Sequence, residues 1–427
     1  MTATACGCAD NQRTTSTLSR RGLLGRALSA GAAGALAGLA GEGLSTSLAF
    51  AAPAYTGDVL VVLSLRGGFD GMSAVVPAGD PDYYRARPTI GVPRAQLIGG
   101  DRSFGLNPAL RPLLPWWEAG QLAAVHAVGQ PRPNRSHFAA MEELERAAPG
   151  TSLRTGWIDR MLGAAGADSA FNAVSLGSPM PVRALAGPAP DLGLDSIDAF
   201  KMYGHDSFPA LPATVRALHD GVPAHLAGPA QQVTGALQTT GVLSAAGYQP
   251  ANGAVYPDTD LGKALRDVAR LIKGNVGLMT ACVDSGDWDL HEGLGTAAPG
   301  QQMFDKLAGL AAALAAFATD LGPTGLGGVT LLTISEFGRR VQENGSKGLD
   351  HGHGNAMLLL GGGVKGRRVY GRWPGLAPAR LVAGDLAATT DYRSVIGEIL
   401  QKRCRVGSLA SVFPGVTASG YGLVAAR

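Results

Sequence analysis

Asp58-Val-Leu-Val-Val-Leu-Ser-Leu65 runs straight into Arg66-Gly67-Gly68-Phe69-Asp70-Gly71. The first eight residues are almost continuously apolar, without the alternation of a half-buried strand, and glycines close the run. That pattern predicts a strand buried on both faces of a parallel sheet. Three further runs repeat it: Leu122–Val128 ends at Gly129 and a proline-rich loop, Val329–Ile334 ends at Ser335-Glu336-Phe337-Gly338, and Met357–Leu360 ends at three glycines. Between them apolar residues recur at helical spacing, at Leu261, Leu265, Val268, Leu271 and Ile272, then at Val395, Ile396, Ile399 and Leu400. Strands alternating with helices predict an α/β fold around a mostly parallel central sheet flanked by helices.

Upstream of this, Ser19-Arg20-Arg21-Gly22-Leu23-Leu24 precedes a mildly apolar stretch, Ala27–Ala40, and Ala49-Phe50-Ala51 offers small residues where a signal peptidase cuts. Residues 1–51 therefore read as a twin-arginine signal peptide cleaved after Ala51, with export by the twin-arginine translocase to a secreted, periplasmic or cell-wall location. The Gly/Ala-rich run, broken by Glu42, is too weakly apolar for a retained span, and the mature chain is expected to carry no membrane span. Leu307–Phe317 reads as a buried core helix. Cleavage removes Arg13, Arg20, Arg21 and Arg26 against Asp10 and Glu42, so the formal net charge falls from +3 to +1. Such a balance gives no electrostatic reason to expect nucleic acid as a partner. Residues 52–427 are expected to form a single domain, with about 151–257, rich in Pro, Gly and Ala, as a long insertion over the carboxyl edge of the sheet. Cys282 and Cys404 remain after cleavage, and their pairing is open between one disulfide and two buried thiols.

Ligands of open α/β sheets bind beyond the carboxyl ends of the strands, and polar residues gather there. Asp70 follows the first strand, Ser136-His137 the second, and Ser335-Glu336-Phe337-Gly338-Arg339 the third. Asp350-His351-Gly352-His353-Gly354-Asn355 precedes the fourth, and Asp287-Trp288-Asp289-Leu290-His291-Glu292 follows a short apolar stretch. Each has a plainer structural use: Asp70 as a turn former, Ser136 as a helix cap, residues 287–291 as a surface loop. Carboxylates with neutral imidazoles are the ligand set of zinc or manganese, and carboxylates with amide oxygens that of calcium.

LRGGFDGMSAVVP, PNRSHF, DWDLHEG, ISEFGR, DHGHGN and TTDYRSVIGEIL, in that order, resemble the exported bacterial proteins of domain-of-unknown-function family 1501 over roughly residues 57–415. That family in turn resembles the alkaline phosphatase and sulfatase superfamily. The resemblance implies metals at strand ends and a serine nucleophile. Residue by residue it makes Asp70 a metal ligand, Ser136 the nucleophile, and Asp287 or Asp289 with His291 one metal subsite. Glu336 stands for a further metal-binding acid, and His351 or His353, with Asp350 beside them, for the final ligand. Phe337 falls where the superfamily has a histidine ligand, which favours a single cation or an asymmetric pair.

On these grounds the expected function is an exported, metal-dependent hydrolase of phosphate or sulfate esters, with a small-molecule or glycan ester as substrate and zinc, calcium or manganese as cofactor. Arg66 and Arg135 flank the nucleophile and metal positions as anion clamps, with Arg339 a third, and His137 or His351 serves as the proton donor to the leaving oxygen. The alternative is a catalytically degenerate binding protein of the same fold for a glycan or envelope ligand. No Gly-x-Gly-x-x-Gly follows the first strand, which disfavours a dinucleotide-dependent oxidoreductase.

Overall fold

A computed structural model describes residues 55–427, apart from 102, 205, 206 and 417–419; the signal-peptide assignment at 1–51 lies outside the described residues. The strands are β1 (Val59–Leu65), β2 (Val75–Val76), β3 (Gly105–Leu106), β4 (Leu122–Gly129), β5 (Ala173–Leu176), β6 (Leu192–Leu194), β7 (Thr280–Ser285), β8 (Val329–Ile334), β9 (Asn355–Gly361), β10 (Val369–Tyr370) and β11 (Thr390–Asp391). Nine of them form one sheet in the order β10-β4-β9-β8-β1-β7-β5-β6, with β11 also paired to β4; β2 and β3 make a separate ribbon.

The sheet is mostly parallel. β1 lies between β7 and β8, parallel to both, and six of its seven residues are buried, as a strand covered on both faces requires. β9 is the exception, antiparallel to β8 and to β4. Its reversal matters for function. β9 begins at the edge where β1, β4, β7 and β8 end, so the loop ahead of it meets the loops that follow them.

Helix Tyr392–Lys402 buries Val395, Ile396, Ile399 and Leu400, which join Leu60, Val62, Leu332 and Leu359 in one core. Helix Asp260–Lys273 buries Leu261, Leu265, Val268 and Leu271, while Ile272 is half-buried. Helix Gln302–Leu326 is long and apolar enough to cross a membrane by length and composition, yet Leu307, Leu310, Leu314 and Phe317 are buried within the protein, as a core helix requires. His126, inside β4, is also core. Its Nε2 lies 2.9 Å from the Val75 carbonyl, its ring stacks on Phe104, and burial lowers its pKa to about 4.

The stretch 151–257 is not wholly the irregular insertion expected. Residues 173–176 and 192–194 are β5 and β6, which extend the sheet in parallel beyond β7. At four and three residues they are too short to display a period. Residues 200–242 cluster as a unit of their own, containing helix Leu211–Leu218 and most of helix Ala224–Ala245. Cys282 and Cys404 are buried free thiols and form no disulfide.

Candidate metal centre

Three loops build the site. After β4 the chain passes through Gln130, whose side-chain amide donates to the carbonyls of Ala140 (2.7 Å) and Glu336 (3.0 Å). This ties the loop to both the following helix and the exit of β8, and it sets His137 at the first position of helix His137–Arg146. After β7, Trp288 is buried edge-on against Phe69, with ring centroids 4.9 Å apart, and its backbone N–H donates to the Arg66 carbonyl (3.1 Å). Asp289 follows at once. Gly67, at φ 114°, makes this approach feasible, because a Cβ there would lie 2.6 Å from the Asp289 nitrogen. Ahead of β9, Gly352 passes so close to Arg339 that a Cβ would meet its backbone at 2.4 Å, and this brings His351 in beside the other two loops.

His137, Asp289 and His351 turn their ligating atoms to one point, all within 4.8 Å of one another. The Nε2 atoms of His137 and His351 are 3.0 Å apart, and His351 Nε2 is 3.0 Å from Asp289 Oδ1. His291 joins from the other side. Its Nε2 lies 3.1 Å from that of His351 and 2.9 Å from Asp289 Oδ1.

The opposite ring nitrogens decide what these atoms can do. His137 Nδ1 is 2.8 Å from Glu336 Oε1, His351 Nδ1 is 2.9 Å from the Arg135 carbonyl, and His291 Nδ1 is 3.2 Å from Asp350 Oδ1. Each partner is an acceptor, so each ring donates from Nδ1. In a neutral imidazole that leaves a lone pair on Nε2. Lone pairs about 3 Å apart repel unless a proton or a cation stands between them. Donor atoms bound roughly 2.0–2.1 Å from a tetrahedral zinc would be about 3.3 Å apart, close to the separations here. Histidines held through their second nitrogen by a carboxylate or carbonyl are the usual outer support of metal-binding imidazoles.

Burial pushes the Asp289 carboxyl up, but the hydrogen bond from Arg339 and the Arg339 charge outweigh it and lower its pKa. The hydrogen bond from Asn344 (3.0 Å), opposed by slight burial and helped by His291, likewise lowers that of Asp350. Side-chain exposures of 46% at Asp289 and 43% at His291 leave the cluster open to solvent on one side.

Several residues singled out in the sequence lie elsewhere. Asp70 is bound in both oxygens by Arg87, at 2.6 and 3.0 Å, in a fully buried ion pair, and it caps the turn at Ser73. It takes no part in the cluster. The Arg87 and Ser73 bonds outweigh burial and lower its pKa. His353 is buried against the Gln130 carbonyl (2.8 Å), with its Nδ1 unpartnered. Glu336 is buried behind His137. Its Oε1 also accepts from the Gly67 N–H (2.8 Å) and its Oε2 from Ser335 (3.0 Å), so it orients an imidazole rather than joining the ligating atoms.

Ser136 is the exposed N-cap of its helix but makes no capping bond with its side chain. Asp287 is exposed, with a left-handed φ of 63°. Arg66 pairs with Asp284 (2.6 Å) and Glu145 (2.9 Å), and Arg135 with Asp385, so neither guanidinium is free for an anion. Arg339 is buried and saturated. It donates to the carbonyls of Gly67, Gly68 (2.6 Å), Trp288 (3.0 Å) and Leu349 (2.8 Å), and to Asp289 (2.6 Å). Phe337 packs its ring against His137 and His351, at centroid distances of 4.9 and 4.8 Å, as an apolar wall for the cluster.

Asn344, which donates to both Asp350 and the His291 carbonyl (2.9 Å), had no signal in the sequence beyond being a turn-forming residue. None of the curated proteins matches the chain. Residues 267–397, which include β7, Asp289, His291, Glu336, Arg339, His351 and β9, match the family described as a protein of unknown function, DUF1501.

Proposed function

We propose that this chain is an exported, metal-dependent hydrolase of phosphate or sulfate esters, related to alkaline phosphatases and sulfatases. One observation carries it: His137 and His351, each placed to donate from Nδ1, bring their Nε2 atoms together with the Asp289 carboxylate at the carboxyl ends of the strands, with His291 Nε2 3.1 Å from that of His351. Nitrogen-rich donor sets suit zinc or manganese, and calcium, which takes oxygen, fits poorly. Asp289, His291, His351 and His137 would hold the cation. When bound, it would polarise an ester oxygen and stabilise charge developing there.

The chain's own groups do the rest. Glu336 keeps the proton on His137 Nδ1, and Asp350 keeps that on His291. Phe337 shields one side of the cluster from water. Ser136, next to His137 and free of a capping bond, is the nucleophile of this scheme.

A binding protein without turnover is favoured by a different observation. Arg66, Arg135 and Arg339 are all committed to acceptors within the protein, so none of these three is free to clamp a transferring anion. Metal analysis of protein purified without chelator, followed by chromogenic phosphate, phosphodiester and sulfate esters, separates the two. Turnover that needs the metal and is lost in Ser136→Ala supports the hydrolase. Every ester inert, with or without bound metal, leaves the binding protein, and absence of metal sinks the metal-dependent hydrolase.

A further inference from the structure

A cleft of about 650 Å³ opens beside the metal centre, at the carboxyl ends of β1, β5 and β7. Its size suits a small organic ligand, for which pockets run roughly 300–1,000 Å³. It adjoins the centre through the chain itself. Trp288 lines it and precedes Asp289; Arg66 lines it and precedes Gly67, whose N–H holds Glu336.

Charge restricts what could enter. Asp260, Asp284, Asp287 and Asp305 line the cleft against two cations, Arg66 and Lys306. Arg66 is consumed by Asp284 and by Glu145, and Lys306 stands 5.4 Å over the Trp288 ring. Carboxylates are therefore in excess, and a second anionic group on a ligand would meet repulsion. Carboxylates at the same time accept hydrogen bonds from hydroxyls.

Ser175 supplies an independent sign. It is 2% exposed, it lines the cleft from β5, and its hydroxyl bonds to no described residue. With no bond to another described residue, that hydroxyl is available to a ligand in the cleft. Ser178 adds a second hydroxyl at the rim.

We infer that this cleft holds the alcohol part of the ester, and that this part is a sugar unit, neutral or amino-bearing, with no second anionic group. The inference rests on the ester-hydrolase reading of the neighbouring centre. The cleft orients the sugar through Ser175 and the excess carboxylates, and the same carboxylates turn away nucleotides and bisphosphates.

Two measurements on the full mature chain test it. The first compares kcat/KM for p-nitrophenyl phosphate, glucosamine 6-phosphate and fructose 1,6-bisphosphate, with the corresponding aryl and glucosamine sulfates. The sugar monoester should exceed the bisphosphate at least tenfold, and Asp260→Lys with Asp287→Asn should narrow that ratio. The second titrates chitotriose into the metal-loaded protein, with Ser175→Ala expected to weaken binding about tenfold and to leave thermal stability unchanged, since that hydroxyl has no bond to lose.

Aryl ester turnover without sugar preference, and with no effect of the cleft variants, overturns the inference and leaves the hydrolase standing. Inert esters with chitotriose bound in a Ser175-dependent way overturn the hydrolase and keep the cleft as a sugar site. Absence of chitotriose binding together with no sugar preference overturns the cleft assignment outright.

Discussion

The Nε2 atoms of His137 and His351 face each other at 3.0 Å while each ring's other nitrogen gives its proton elsewhere, to Glu336 and to the Arg135 carbonyl. Two lone pairs so placed are stabilised by a shared cation. Zinc or manganese should therefore be recovered with the protein, and His351→Ala should lower affinity by at least about 100-fold, since removing a direct ligand costs more than the roughly 10–100-fold of an outer partner. Chelator should lower the melting temperature of the wild-type chain and leave that of His351→Ala unmoved, because only a bound ligand adds stability by mass action.

Glu336 touches the histidine rather than the centre. Glu336→Gln should weaken metal binding by roughly 10–100-fold and keep the stoichiometry, with the fold intact by circular dichroism. An affinity equal to wild type in a metal titration would remove Glu336 from the support of His137.

Asp70 behaves differently. Its carboxylate neutralises Arg87 in the interior, and cutting one member of a buried pair strands the other charge. Asp70→Ala should cost about 3–5 kcal/mol in denaturant melts, and an apolar replacement of both residues should cost less. Metal content should stay unchanged; loss of metal in a still-folded Asp70→Asn protein would return this residue to the ligand set.

His126 makes stability depend on pH. Burial depresses its folded pKa to about 4, against roughly 6.5 in the unfolded chain. Between those values the unfolded state binds the extra proton, so stability is fully present above pH 6.5 and is lost as pH falls toward 4. The loss is of order 3 kcal/mol for this group. Unfolding curves at several pH values should slope accordingly in the wild type and flatten in His126→Asn; an unchanged slope in the variant would assign the effect to other groups.

Long apolar runs made β1, β4, β8 and β9 readable, because a strand buried on both faces needs no partner to declare itself. β5 and β6 are shorter than any period, and only pairing with β7 makes them strands. At the site, His137, Asp289, His291 and His351 stood out as metal-binding residue types at strand ends. What stayed hidden was competition. Asp70 went to Arg87 seventeen positions on, and Arg339 spent its donors on four carbonyls and Asp289. Such choices depend on which loops meet at the sheet edge, and that is a property of strand order rather than of local sequence.

The reversed direction of β9 has a kinetic consequence. His137 and His351 are 214 positions apart, and Asp289 belongs to a third loop. They adjoin only once β4, β7, β8 and β9 have all taken their places. If the cluster holds an ion as proposed, a chain still lacking one of those strands would have no grip on it, so occupancy would mark completed molecules and leave unfinished ones unmarked.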